Sequence, residues 1–85
     1  MSIEPGHLSR LVLYVRPGCH LCDQFLLDLA LEFGPEVENL RIENVDLDPD
    51  LAARHGLRVP VLELDGGVIC EAQLDAARLR QALGI

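Results

Sequence analysis

The segment that most constrains this chain runs from Arg16 to Cys22 and contains the pair Cys19 and Cys22, with two residues between them. It follows an apolar run, Leu11 to Val15, and precedes a segment with helical periodicity. A C-x-x-C pair between a strand and a helix is typical of redox chemistry rather than of a permanent cross-link. Residues three apart share one helix face, so the two sulfur atoms can bridge without distorting the backbone.

The two cysteines are expected to differ in role. If Cys19 caps the helix, the free N–H groups of the first turn and the positive end of the helix dipole favour its thiolate. From Cys22 onward, apolar residues recur at helical spacing and would face a core: Phe25, Leu26, Leu29, Ala30 and Phe33. We therefore expect Cys19 to be the exposed attacking thiolate and Cys22 the more buried resolving thiol.

Two other interpretations of the pair stay open, a structural disulfide and half of a metal site. A complete zinc site takes four ligands, and only His20 is close by in sequence, so redox chemistry is favoured and no metal ligand is assigned. His20 could stabilise the thiolate as an imidazolium, or it could be solvated, because adjacent side chains on a helix diverge. Cys70 lies on a predicted core strand and is interpreted as a small buried hydrophobe.

Length and charge restrict the possible functions. Eighty-five residues predict one domain with a single core, spanning 1–85, in which residues 1–9 form a loose lead. Seven basic against fourteen acidic residues give a net charge of −7, which argues against nucleic acid or anionic membrane as a partner. Without a visible export signal or apolar span, we expect a cytoplasmic monomer, in which C-x-x-C is more often catalytic or metal-binding than structural.

Caps and turns predict the remaining elements. The first helix should run from His20 to Phe33 and end at Gly34-Pro35, and an edge strand should follow at 40–46. Asp48 should cap a short helix that begins at Pro49 and ends at Gly56; His55 in that helix is interpreted as a surface or cap residue. A strand from Val59, a hairpin turn at 65–67, a strand at 68–70 and a helix at 73–83 complete the order β-α-β-α-β-β-α.

This order, the cysteine pair at the first helix and Val59-Pro60 at the third strand together resemble the thioredoxin fold, particularly glutaredoxins and small glutaredoxin-like proteins. The likeness covers Leu11 to Leu83. It implies an α/β domain with a thioredoxin-like fold, in which helices flank a four-stranded mixed sheet. It also implies a cis peptide bond before Pro60, placed against the cysteine turn.

The resemblance assigns roles to residues around the pair. In the family the backbone beside this proline pairs with an extended thiol substrate, which puts Val59 in the substrate groove. Arg58 either lines that groove or is a surface arginine. Arg16 matches a family lysine that meets a glutathione carboxylate, and a guanidinium could bind it as a bidentate fork. Pro17 shapes the turn that presents the nucleophile.

Three departures from the family patterns limit what the resemblance implies, and they weaken the expectations of glutathione as a co-substrate and of a thioredoxin-type set of partners. The Gly-Gly and acidic residue that glutaredoxins place after the fourth strand are replaced here by residues 69–73, which read Ile-Cys-Glu-Ala-Gln. The tryptophan that thioredoxins carry before the motif is replaced by Pro17 and Gly18. The buried carboxylate that thioredoxins carry six residues before the first cysteine is replaced by Leu13.

The predicted function is that of a glutaredoxin-like thiol–disulfide oxidoreductase that needs no cofactor. Its partner would be a disulfide-containing protein or a small thiol. Two rivals remain: an iron–sulfur or metal-binding glutaredoxin-like module, and a non-catalytic interaction domain that kept the fold. The sequence does not assign the direction of electron flow.

Overall fold

The computed structural model describes residues 3–85 and shows the predicted element order, preceded by one short helix. The helices are α1 (Pro5–Leu8), α2 (His20–Phe33), α3 (Pro49–His55) and α4 (Ala76–Leu83). The strands are β1 (Leu11–Val15), β2 (Arg41–Asn44), β3 (Val61–Leu64) and β4 (Gly67–Glu71). Two 3₁₀ turns, Pro35–Asn39 and Val45–Leu47, lie on either side of β2.

The four strands form one mixed sheet in the order β2-β1-β3-β4. β1 pairs in parallel with β2 and antiparallel with β3, and β3 pairs antiparallel with β4. The predicted fold class, an α/β thioredoxin-like domain with a four-stranded mixed sheet, is therefore confirmed. β1, which has the continuous apolar run, is a central strand, and β2, which has the mixed pattern, is an edge strand, as the sequence patterns predicted.

The predicted bounds of α2 are confirmed at both ends. Cys19 occupies the N-cap in an extended conformation, and the N–H of Gly34 donates to the Ala30 carbonyl at the other end. Gly34 has a φ of 93°, a conformation that glycine adopts without steric cost. Between these caps the helical stripe of Cys22, Phe25, Leu29 and Phe33 is buried.

The sheet has two different faces. The first, which we call the apolar face, is covered by α2 and α4, and its core includes Leu13, Leu62, Phe25 and Leu79. The second, which we call the α3 face, has a smaller core formed by Tyr14, Val45 and Val61, against which Leu51 of α3 packs. Alternation along β1 and β3 sends successive side chains to these two faces.

The N-terminal segment differs from the loose lead predicted for residues 1–9. Met1 and Ser2 lie outside the described residues, but Ile3 and Leu8 anchor the segment 3–9 to the core. Ile3 and Leu8 are only 2% and 6% exposed, and both belong to the apolar-face core. α1 explains this packing, because Pro5 opens it and Glu4 and His7 form a reciprocal capping box around its first turn.

The observed bounds of three other elements also differ from the predicted ones. The second strand covers Arg41–Asn44 instead of 40–46, because the chain turns into a 3₁₀ helix at Val45. The third strand begins at Val61, not Val59. The last helix begins at Ala76, since the Asp75 side chain caps it by accepting the N–H of Arg78. Within residues 3–85, none of the helices has the length and apolarity that a membrane crossing requires.

Candidate functional site

The site begins where β1 ends and the chain turns toward α2. Gly18 has a φ of 73°, in the left-handed region that favours glycine, and it reverses the chain immediately before Cys19. Pro17 is exposed beside it. This turn places Cys19 at the entrance of α2 rather than within the helix.

The Cys19 sulfur is held at the helix N-terminus by the backbone. It accepts a hydrogen bond from the N–H of Cys22 at 3.1 Å. The two sulfur atoms are joined as a disulfide, with their Cα atoms 5.2 Å apart, inside the range of about 4.4–6.8 Å that a bridge requires. Cys22 is 3% exposed, whereas Cys19 is half-buried, which is the order of exposure that the helical pattern predicted.

Pro60 lies at the same end of the sheet as the cysteine turn. In the antiparallel register Tyr14 of β1 faces Val61 of β3, so the end of β1 and the start of β3 are neighbours. The Val59–Pro60 peptide bond is cis, and Pro60 is fully buried. The Pro60 carbonyl accepts the N–H of Ala72 at 2.9 Å, which ties the start of β3 to the end of β4.

The other residues of the predicted groove lie between α3 and Pro60. Val59 is half-buried and packs against the α3-face core, and Arg58 is exposed. The backbone N–H of Arg58 donates to the His55 carbonyl at 2.8 Å, which anchors this segment to the end of α3. His20 is the first residue of α2 and is exposed to solvent, in agreement with the solvated interpretation of its side chain.

Arg16 has two partners in its own chain. Its Nε donates to Oδ1 of Asp46 at 2.8 Å, and its Nη1 donates to the carbonyl of Gly56 at 2.9 Å. No local sequence signal points to these partners, because they lie 30 and 40 residues away along the chain. The guanidinium thus contacts the 3₁₀ turn after β2 and the end of α3, both beside the cysteine turn.

A surface cavity of about 230 Å³ opens beside Cys22. Its walls combine apolar side chains with a few polar ones: Val15, Arg16, Pro17, Gly18, Cys22, Asp23, Leu26 and Asn44. The cavity shows that Arg16 and Cys22 border the same space. It leaves the region around the inner sulfur open to solvent, although Cys22 itself is buried.

The third cysteine does not join the pair. Cys70 is a free thiol buried in the apolar-face core, as expected of a small hydrophobe. Burial raises the pKa of the Cys70 thiol, which disfavours the reactive thiolate. Among residues 3–85, no group of three or more His, Cys, Asp or Glu side chains is arranged to hold a metal ion.

His55 is buried, which corrects its interpretation as a surface or cap residue. It is 6% exposed, and its ring stacks on Tyr14 with centroids 4.6 Å apart. Nε2 lies 3.2 Å from Oε2 of Glu63, itself buried on β3. Within the described residues neither ring nitrogen makes a well-directed hydrogen bond, so we treat this approach as a close polar contact.

The fold and the site together define a class of protein. The first long helix begins with a cysteine pair, and a buried cis-proline precedes an inner strand at the same end of the mixed four-stranded sheet. This is the arrangement of a thioredoxin-fold domain with a redox-capable pair. Comparison with known proteins then identifies the family within this class.

The family model described as "Glutaredoxin-like domain (DUF836)" matches residues 10–84. The chain therefore belongs to this glutaredoxin-like family. No curated protein sequence matches the chain.

Solved structures agree with the family assignment. The crystal structure of target protein XcR50 from X. campestris is 39% identical, with a TM-score of 0.68, covering 87% of this chain and 95% of that one. The solution structure of Ne2328 from Nitrosomonas europaea is 28% identical, with a TM-score of 0.70 and coverages of 86% and 88%. Oxidized glutaredoxin 2 from Chlamydomonas reinhardtii, at 13% identity, a TM-score of 0.53 and coverages of 88% and 73%, shares the fold.

Proposed function

We propose that the protein is a thiol–disulfide oxidoreductase in which Cys19 is the nucleophile and Cys22 the resolving thiol. The observation that carries the proposal is the cap geometry: the Cys19 sulfur sits at the N-terminus of α2 and accepts the N–H of Cys22. A hydrogen bond to sulfur and the helix dipole both favour a thiolate over a thiol at this position. The difference in exposure between the two sulfurs supports the division of roles.

The reaction follows from these positions. In the reduced protein the Cys19 thiolate attacks one sulfur of a substrate disulfide; the substrate S–S bond breaks, and one substrate thiolate leaves. Cys22 then loses its proton and attacks the Cys19 sulfur, so that the internal disulfide forms and the second substrate thiolate leaves. The protein loses two electrons and two protons, and the substrate gains them. The same steps run in reverse when the internal disulfide oxidises a dithiol.

The proposal includes a setting and a partner class. The reaction uses only the two sulfur atoms of the chain and requires no cofactor. We place it in the cytoplasm, where a reducing thiol pool keeps a C-x-x-C pair available for exchange. The substrate is the disulfide of a protein or the disulfide formed by a small thiol such as glutathione. It docks at the surface beside Pro60, with Val59 and Arg58 in the groove.

The test is a single turnover of the reduced protein with a disulfide, followed by acid quenching, alkylation and mass measurement. Wild type should lose two hydrogen atoms as the internal disulfide forms. Cys22→Ser should stop at the mixed disulfide, because it lacks the resolving thiol. Cys19→Ser should react far more slowly, and the matched control Cys70→Ala should behave as wild type. Undiminished oxidation of Cys19→Ser would reject the assignment.

A further inference from the structure

The Arg16 guanidinium joins three segments that meet at the cysteine end of the sheet. Arg16 itself directly follows β1 and begins the turn that leads to Cys19. Its partner Asp46 belongs to the 3₁₀ turn after β2. Its other partner, Gly56, is the C-cap of α3 and begins the segment that ends at Pro60.

We propose that Arg16 is a positioning residue, which fixes the cysteine turn relative to the segment from Gly56 to Pro60, and that it does not bind a substrate carboxylate. This inference rests on the proposed function, because it concerns how the thiolate and the proline wall of the groove are held together. A misplacement of about 1 Å between reacting groups can cost on the order of 100-fold in rate. One side chain that spans both walls is therefore in a position to control the reaction.

Two of the five N–H donors of Arg16 already bind acceptors in its own chain, which argues against a role in binding glutathione. The Nε edge of the guanidinium meets the Asp46 carboxylate, and Nη1 meets a carbonyl in a different direction. Asp46 also supplies the negative charge that the cation needs. A substrate carboxylate would have to displace Asp46 from a bond of 2.8 Å before it could bind the Nε edge of the guanidinium as a bidentate pair.

Gly56 leaves room for this contact, and the backbone of α3 itself requires a glycine there. Its φ of −54° is helical, and in that region glycine is less favourable than alanine. The close approach of other atoms explains why glycine occupies this position. A Cβ built on Gly56 would lie 2.9 Å from Nη2 of Arg16 and 2.5 Å from the Ala52 carbonyl oxygen. The guanidinium is thus packed directly against the backbone where the segment toward Pro60 begins.

The experiment compares two disulfides in single-turnover oxidation of the reduced protein. One is glutathione disulfide, which carries carboxylates, and the other is the uncharged disulfide of mercaptoethanol. The variants are Arg16→Met, Arg16→Lys and Asp46→Asn. The matched control is Arg41→Met, which removes the same charge from an exposed pair at the other end of β2.

We expect Arg16→Met to lower the second-order rate constant for both disulfides by the same factor, on the order of 10- to 100-fold. Arg16→Lys should recover little, because all the donors of an ammonium group are on one nitrogen, whereas the planar guanidinium reaches Asp46 and Gly56 from two separate nitrogens. Asp46→Asn should slow both reactions, and Arg41→Met neither. The opposite pattern would overturn the proposal: a loss confined to glutathione disulfide in Arg16→Met, with a faster reaction in Asp46→Asn, would make Arg16 a carboxylate ligand.

A second readout separates this inference from the proposed function. Backbone amide exchange should become faster in both 17–22 and 56–59 in Arg16→Met, and in neither segment in Arg41→Met. If wild type fails to react with either disulfide, the proposed function fails and amide exchange alone decides the role of Arg16. Unchanged exchange in both segments, or a change in only one of them, would show that Arg16 does not couple the two walls.

Discussion

The two faces of the sheet are built from different kinds of side chain. The apolar face buries leucine and phenylalanine from α2 and α4 against Leu13 and Leu62. The α3 face buries Tyr14, His55 and Glu63 among a few aliphatic residues. The helix that carries Cys22 therefore rests on a conventional core, whereas α3, which leads into the Pro60 segment, rests on a polar cluster.

This difference separates packing that serves stability from packing that holds polar groups in place. Buried apolar side chains contribute free energy roughly in proportion to the area removed from water, whatever their partners. Buried polar groups contribute only when they are paired, and they cost free energy when one partner is removed. We therefore expect substitutions on the two faces to follow different rules.

The largest effect is expected on the apolar face. Phe25→Ala should lower the free energy of unfolding by about 3–5 kcal/mol, because it removes a large buried side chain and leaves a cavity. Phe25 is 1% exposed. The measurement is urea denaturation, with Leu31→Ala as the control on the same helix, since Leu31 is 76% exposed and should change stability by less than about 0.5 kcal/mol. Similar losses for the two variants would contradict the assignment of this face as the main core.

A smaller and non-additive effect is expected on the α3 face. His55→Phe keeps a ring on Tyr14 but removes the nitrogen that lies 3.2 Å from the Glu63 carboxylate. It should cost about 1–3 kcal/mol, because the carboxylate is left buried without this partner. The double variant His55→Phe/Glu63→Met should recover most of that loss, because both polar groups are then gone.

Urea denaturation of the two single variants and the double variant measures the coupling between these residues. An additive result would mean that His55 and Glu63 do not depend on each other, and the contrast between the two faces would lose its basis. Tyr14→Phe serves as the comparison within the same cluster, since it removes a hydroxyl group but keeps the ring.

The same contrast explains what could be predicted from the sequence. The run from Leu11 to Val15, the stripe from Cys22 to Phe33 and the caps at Cys19, Asp48 and Gly34 are local signals. They predicted β1, α2, the start of α3 and the cysteine turn. His55 and Glu63 are polar residue types, and nothing within a few positions of either one shows that it is buried. Their burial depends on α3 covering β3, which is a tertiary event.

Some features of the candidate site also follow from local sequence, whereas others depend on tertiary packing. The positions of Cys19 and Cys22 follow from spacing and helix geometry, which the sequence contains. The partners of Arg16 do not, since they depend on how the turn after β2 and the end of α3 meet β1. The packing of Ile3 and Leu8 was missed for a related reason. Two apolar residues separated by a short polar stretch form no periodic pattern, so only their tertiary contacts show that they are buried.

The smallest expected effect is a shift in titration on the α3 face, and it tests that face without changing its packing. Burial raises the pKa of Tyr14 above its ordinary value, and the charge of the nearby Glu63 carboxylate raises it further. Tyr14 is the only tyrosine and the chain has no tryptophan. The near-ultraviolet absorbance of tyrosinate therefore reports on this one side chain.

In the folded protein, tyrosinate should form above the usual pH of about 10, and Glu63→Gln should move the transition down while leaving it above that value, because burial remains. The raised pKa of Tyr14 also makes the stability of the fold depend on pH. The unfolded chain loses the phenol proton first as pH rises, so this contribution to stability is complete below about pH 10 and is lost as pH rises through the folded pKa. The expectation would be contradicted if Tyr14 in the folded protein titrated like free tyrosine, or if Glu63→Gln left the pH of the transition unchanged. Either result would show that the α3 face is open to solvent rather than a buried polar cluster.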